Sequence, residues 1–138
     1  MYPTQKANDI TDSMLNNDPF SQWLGIEKLS VEPGKCTVKM IVRKEMLNGF
    51  GILHGGVSFS LADSAFAFAS NTHGRKAFSI ETSISHVSKV NEGDILTATA
   101  EELSLSNKIG IYQVKVTDGE QRLVALFKGT VYRSSEEW

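Results

Sequence analysis

Apolar positions along the chain fall into two rhythms. Between 36 and 42, Cys36, Val38, Met40 and Val42 alternate with Thr37, Lys39 and Arg43, the period of two that marks a half-buried strand. The stretch LGIEKLSVE (24–32) precedes it, and the Pro33-Gly34 pair between them predicts a turn and therefore a hairpin. FSIETSISHV (78–87), ILTATAEEL (95–103), IYQVKVT (111–117) and LVALFKGTVY (123–132) are rich in β-branched and aromatic residues and predict four more strands. They are separated by Asn91–Asp94, by Ser106–Lys108 and by Asp118-Gly119, the last a two-residue hairpin signal. Links this short favour antiparallel neighbours over parallel crossovers. The second rhythm occupies the middle of the chain, where residues 55–71 are mostly apolar and predict one long helix, entered from a glycine-rich loop (44–54) and ended near Asn71 and Gly74. Before all this, Ile10, Met14 and Leu15 form a small periodic patch in the otherwise polar segment 1–22, which predicts a short helix breaking at Asp18-Pro19. It reads as a lid or as a frayed tail. The expected class is α+β, an antiparallel sheet wrapped around one long central helix. The expected domain runs over 23–133, with 134–138 (SSEEW) a solvated tail.

Composition narrows the options. A chain of 138 residues, 41% hydrophobic, with net charge −2 suits a single globular domain with a real core. Lysines and arginines are scattered and the sequence pI is near 5.9, so neither a nucleic acid nor a membrane is expected as partner. The single Cys36 excludes an intrachain disulfide and a thiolate zinc cage, and its alternating context predicts a small core-facing hydrophobe. The N-terminal residues lack the apolar run of a signal peptide, and stretch 55–70 is interrupted by serines and Asp63, so a cytoplasmic protein is expected.

The chemistry concentrates in LNGFGILHGGVSFSLADSAFAFASNTHG (47–74). Between Met46 and Gly74, Asp63 is the only residue with a full charge at neutral pH, and a lone carboxylate among Leu61, Ala62, Ala65 and Phe66 is costly without partners. Gly55 and Gly56 open the helix, so their N–H groups lack intrahelical acceptors and could face developing negative charge, as an oxyanion hole does. From Gly55 to Asp63 is roughly 12 Å of helix at about 1.5 Å per residue, whereas a reacting atom must lie about 3 Å from both groups. One helix cannot serve one atom with both. A second copy with its helix antiparallel could, giving two equivalent sites across a twofold interface, so an obligate dimer is expected. Taken singly, these features have plainer readings. Asp63 fits a mid-helix aspartate satisfied by solvent or Ser60, His54 a capping or core histidine, and the glycines a tight turn. Gly49-x-Gly51-x-x-x-Gly55 is one residue too long for the dinucleotide fingerprint. His54, His73, His86 and Asp63 match no local ligand spacing, so no metal site is expected. Phe66 and Phe68 lie about 200° apart on a helix, so at least one is core packing, and Phe50 and Phe59 fit an aryl pocket or packing equally well.

LNGFGILHGG followed by SLADSAFAFA, with the GDILTATA and VALFKGTVYR strands, resembles the hotdog-fold acyl-CoA thioesterases of the phenylacetic-acid-degradation (PaaI-type) branch. The likeness runs from about Trp23 to Tyr132, and the joint pattern Asn48, His54-Gly55-Gly56 and Asp63 carries it. It implies a homodimer with a continuous sheet, often paired into a tetramer, with active sites between subunits and no cofactor. It also implies roles. Gly55 would be the oxyanion donor, and Asp63 the general base on water or the nucleophile. Asn48 would help hold the water or substrate, His54 would fix the loop and contact the thioester, and Ser79 would assist the water. Gly56, Phe50 and Lys89 are the expected substrate-binding residues. Relatives commonly follow the strand after the helix with an aromatic, Leu, Arg and Pro, where this chain has His86, Val87, Ser88 and Lys89. That departure removes an arginine contact to coenzyme A phosphates, a charge that Lys89 could supply instead. The expected activity is hydrolysis of a small aryl or medium-chain acyl-CoA. Two alternatives stay open: a hotdog enoyl-CoA hydratase, whose relatives carry an aspartate where this loop offers only Asn48, and a non-catalytic acyl-CoA binding module.

Overall fold

A computed structural model describes residues 2–138. The helices are α1 (Pro3–Asn16), α2 (Pro19–Leu24) and α3 (Gly55–Asn71), with a short 3₁₀ turn at Lys44–Met46. The strands are β1 (Glu27–Glu32), β2 (Lys35–Ile41), β3 (Arg75–His86), β4 (Ile95–Leu105), β5 (Ile109–Thr117) and β6 (Leu123–Glu137). They form one sheet in the order β1-β2-β4-β5-β6-β3, antiparallel throughout. The class is α+β, with α3 against the sheet. Its edges are β1 and β3.

Alternation explains how the sheet holds the helix. Cys36, Val38 and Met40 on β2, Leu96, Ala98 and Ala100 on β4, Tyr112, Val114 and Val116 on β5, and Ala125, Phe127 and Val131 on β6 are all buried, one face of the pleat. Against them α3 sets Leu61, Ala62, Ala65, Phe66, Phe68 and Ala69, and the alanines let the helix approach closely. Phe66 is the pivot, meeting Tyr112 at 5.9 Å and Phe127 at 5.4 Å between ring centroids. Gly129 lies beneath it, where a Cβ would come within 2.6 Å of the Phe66 ring. That glycine makes room for the ring. Cys36 is buried too, which pushes its thiol up to about 12.

Three boundaries differ from the sequence expectation. Leu24 ends α2 rather than opening a strand, because Asp18 caps that helix at Ser21 N (2.9 Å) and Gly25 leaves it at φ +77°. The link after β5 is a five-residue loop, 118–122, in which Asp118 Oδ1 accepts from Glu120 N and Arg122 N, each at 3.0 Å, and Gln121 rather than Gly119 takes positive φ. A two-residue turn is thereby replaced by a side-chain-braced one. Finally, 134–138, though largely exposed, is not a free tail. β6 continues to Glu137 opposite Arg75, and the Trp138 indole donates to Asn71 Oδ1 at 3.0 Å. At the other end, α1 is docked rather than frayed, with Ala7, Ile10 and Thr11 buried.

Candidate active site

Loop 47–53 is built by Asn48. Its Oδ1 accepts from Phe50 N at 2.9 Å and Ile52 N at 3.4 Å, while Gly51 turns the chain at φ +75°. Leu53 N then donates to Val90 O and His54 N to Met46 O, at 2.8 and 2.9 Å, fixing the point where α3 starts. His54 caps the helix, its Nδ1 accepting from Gly56 N at 2.9 Å, and Val57 N donates to His54 O at 2.9 Å. Gly55 is therefore the residue of the first turn whose N–H has no acceptor among the described residues. The free donor sits at the positive end of a helix of 17 residues, where negative charge is favoured.

Gly55 faces a cleft of about 350 Å³ lined by Asn48, Ile52, Ser58, His86, Lys89 and Val124 among others. Of the residues expected from sequence, the cleft gathers Gly55, Asn48 and Lys89. His54 and Gly56 are exposed at its rim. Phe50 stands 89% exposed at the loop tip and is not among the residues lining the cleft. Ser79 is exposed on β3, opposite Val131 of β6, away from the cleft. Phe59 packs edge-on against Phe127 at 5.6 Å, as core does.

Asp63 also lies outside the cleft. It is half-buried, and burial first, then the neighbouring Asp18 carboxylate, raises its pKa above the usual range. Asp18 is there because α2 is tied to α3: the Ser21 hydroxyl donates to Asp18 Oδ2 at 2.6 Å and meets Ser64 Oγ at 2.8 Å. No donor among the described residues offsets the two raising influences. The result is a poorly stabilised, proton-hungry carboxylate, the property expected of a base.

Among the cleft residues that were not anticipated, two meet each other beside Gly55. Ser58 lies one turn after Gly55, a helical spacing of three that sequence could have flagged. His86 arrives from the end of β3, and its imidazole meets Ser58 Oγ at 3.3 Å; only tertiary structure brings these together. The other histidines are elsewhere, His73 bonded to Glu102 at 2.6 Å. No cluster of three or more His, Cys, Asp or Glu able to hold a metal ion occurs among the described residues. Nor is any described helix long and apolar enough to cross a membrane.

A helix laid against an antiparallel sheet, with a free donor at its N-terminus and, within it, a carboxylate without a partner among the described residues, is the frame of a hotdog-fold thioester hydrolase, and residues 50–125 match the model of the thioesterase superfamily. The chain belongs to that superfamily, in its PaaI-type branch. It is 38% identical to the acyl-coenzyme A thioesterase PaaI of Escherichia coli over 94% of this chain and 93% of that one. The E. coli PaaI structure superposes with a TM-score of 0.96, covering 99% of each chain at 36% identity. A variant of the phenylacetic acid degradation protein PaaI from Thermus thermophilus gives 0.82 at 41% identity, covering 85% of this chain and 100% of that one. The 1,4-dihydroxy-2-naphthoyl-CoA hydrolase of Listeria monocytogenes is 32% identical over 81% of this chain and 93% of its own.

Proposed function

We propose that the protein hydrolyses a small aryl or medium-chain acyl-CoA to the carboxylic acid and free CoA, at sites shared between two subunits. The observation that carries the shared site is the separation of Asp63 from the Gly55 cleft. The two are eight residues apart on one helix, roughly 12 Å at about 1.5 Å per residue, and Asp63 has no offsetting partner among the described residues. A twofold-related helix would bring each Asp63 to the partner's Gly55. Edge strand β3 supports the same arrangement. Among the described strands it is bonded to β6 alone, and Phe78 and Ile80 on it are 55% and 59% exposed, an open edge that native proteins cover. The aryl preference draws on the relatives named above, which act on acyl-CoA and dihydroxynaphthoyl-CoA thioesters.

In the proposed mechanism the thioester carbonyl oxygen accepts from Gly55 N–H, and the CoA arm follows the cleft toward Lys89, a cation for its phosphates. Asn48 spends its Oδ1 on the loop and keeps its NH₂ for the water or the substrate. Asp63 of the partner takes a proton as water attacks, or attacks the carbonyl itself. The tetrahedral oxyanion collapses, the C–S bond breaks with its electron pair leaving on sulfur, and the thiolate departs without a strong acid. Ser79, exposed on the edge strand that the partner would cover, is proposed to reach the water in the assembled dimer, and Phe50 and Gly56 to border the acyl group there. Two dimers pairing into a tetramer complete the assembly, in the cytoplasm. Thiol release from a panel of aryl and straight-chain acyl-CoAs tests the reading. The wild type releases thiol and Asp63→Asn does not; absence of release from every member would contradict it.

A further inference from the structure

The proposed reaction leaves one demand of the oxyanion unmet. A tetrahedral oxyanion has three lone pairs, and at the mouth of α3 Gly56 N–H is spent on His54 Nδ1 and Val57 N–H on His54 O. Among the described residues Gly55 N–H is the backbone donor left at the helix mouth. Beside it stands a side chain with no role so far. The Nε2 edge of His86 lies 3.0 Å from the point a Gly55 Cβ would occupy. By covalent geometry the ring nitrogen is then at most about 5.5 Å from the Gly55 nitrogen. An oxygen held about 2.9 Å from that nitrogen can sit within hydrogen-bond reach of Nε2 as well.

We propose that His86, oriented by Ser58, is a catalytic residue of this thioesterase, its Nε2–H serving with Gly55 N–H as the second donor to the oxyanion. The assignment rests on the acyl-CoA hydrolysis proposed above. The role of Ser58 follows from its proton count. Its hydroxyl has one proton and two acceptors in reach, Gly55 O at 3.1 Å and His86 Nδ1 at 3.3 Å. A neutral imidazole has two arrangements here: Nδ1–H donates to Ser58 Oγ while Ser58 donates to Gly55 O, or the hydroxyl turns to Nδ1 and the ring proton sits on Nε2, the tautomer that an oxyanion in the cleft selects. When the imidazole is charged, both nitrogens carry protons, and Ser58 accepts from Nδ1–H while donating to Gly55 O. In the charged state, and in the neutral tautomer that the oxyanion selects, Nε2 presents a donor to the cleft. No proton need be transferred by the ring, so the chemistry balances as for simple hydrolysis.

Position argues for the same assignment. His86 ends β3 and Lys89 follows three residues later, both on the cleft wall with Gly55, so a thioester entering with its CoA arm toward Lys89 carries its carbonyl past the ring. The contact also accounts for glycine at position 55, since any Cβ would press on the imidazole.

The test compares steady-state thiol release by wild type, His86→Phe, His86→Gln and Ser58→Ala, with Asp63→Asn as control and thermal midpoints recorded for each. His86 is exposed at the strand end, so its replacement leaves the midpoint unchanged. His86→Phe keeps a flat ring without a donor and is expected to lose roughly 10²–10³ in kcat with KM unaltered. His86→Gln, with an amide N–H, recovers most of that loss, and Ser58→Ala shows a smaller fall. Wild-type kcat in His86→Phe overturns the inference, as does a change confined to KM or a glutamine variant no better than phenylalanine. If that happens while Asp63→Asn is inactive, the hydrolase reading stands and His86 alone is wrong. If the wild type releases no thiol, it is the hydrolase reading that fails.

Discussion

At residue scale the account turns on Asp63. Its pKa is raised because burial and Asp18 both disfavour the ionised form and nothing among the described residues favours it. Two consequences are separable. As the proposed base Asp63 must be ionised, so the acid limb of kcat/KM is expected to inflect above the ordinary carboxylate value. Asp63→Asn loses roughly 10²–10⁴ in turnover. For stability the sign runs the other way. A carboxyl whose folded pKa exceeds its unfolded one stabilises the fold below the unfolded value, 3.8, and that contribution is lost as pH rises through the raised folded value. Asp63→Asn therefore melts at or above wild type, with the gap widening from about pH 4 to pH 7 as the wild-type carboxyl ionises. Differential scanning calorimetry across that range checks it, and a variant less stable at pH 7 than at pH 4 relative to wild type would contradict the assigned environment. Asp63 was legible in the sequence as the one full charge in an apolar helix. Its isolation from the cleft followed from helix rise alone. His86 was not legible as a site residue, because its neighbour Gly55 is 31 positions away in sequence and no periodicity links a strand end to a helix start.

At the scale of elements, α3 and the sheet are held by a fit around Phe66. The ring is fully buried between Tyr112 and Phe127, with Gly129 beneath, so it has nowhere to swing. Gly129→Ala is expected to destabilise by about 1–3 kcal/mol through overpacking, read as a lower midpoint of denaturant unfolding at unchanged slope. A neutral result would mean the helix sits further from β6. The alternation of Cys36, Val38, Met40 and Val42 and the long apolar run of α3 made both layers readable, since burial imposes its period directly on composition. The ends of elements were less readable. Trp138 looked like part of a polar tail, yet its indole is held by Asn71, which also takes Ala77 N at 2.9 Å and donates to Ala67 O at 2.8 Å. A side chain that joins a helix end, a strand start and the last strand leaves no local pattern. The same holds for α1, whose sparse apolar patch is enough only because α3 and β1 are there to receive it.

At the scale of the whole molecule the proposed dimer follows from two incomplete halves, a donor without a base and an edge strand without a neighbour. Ile80→Lys places a charge on the open edge of β3 and is expected to yield a folded monomer that releases no thiol, seen by analytical ultracentrifugation beside the activity assay. An active monomer would contradict the shared site. The sharpest measurement mixes subunits. Asp63→Asn and a cleft-mouth variant, His54→Ala, each inactive alone, are refolded together. Half of the mixed assemblies' sites then combine an intact Asp63 with an intact Gly55 loop, so thiol release returns in the mixture. Mixtures as inactive as their parents would show that each chain supplies its own base and donor, and that the site is not shared.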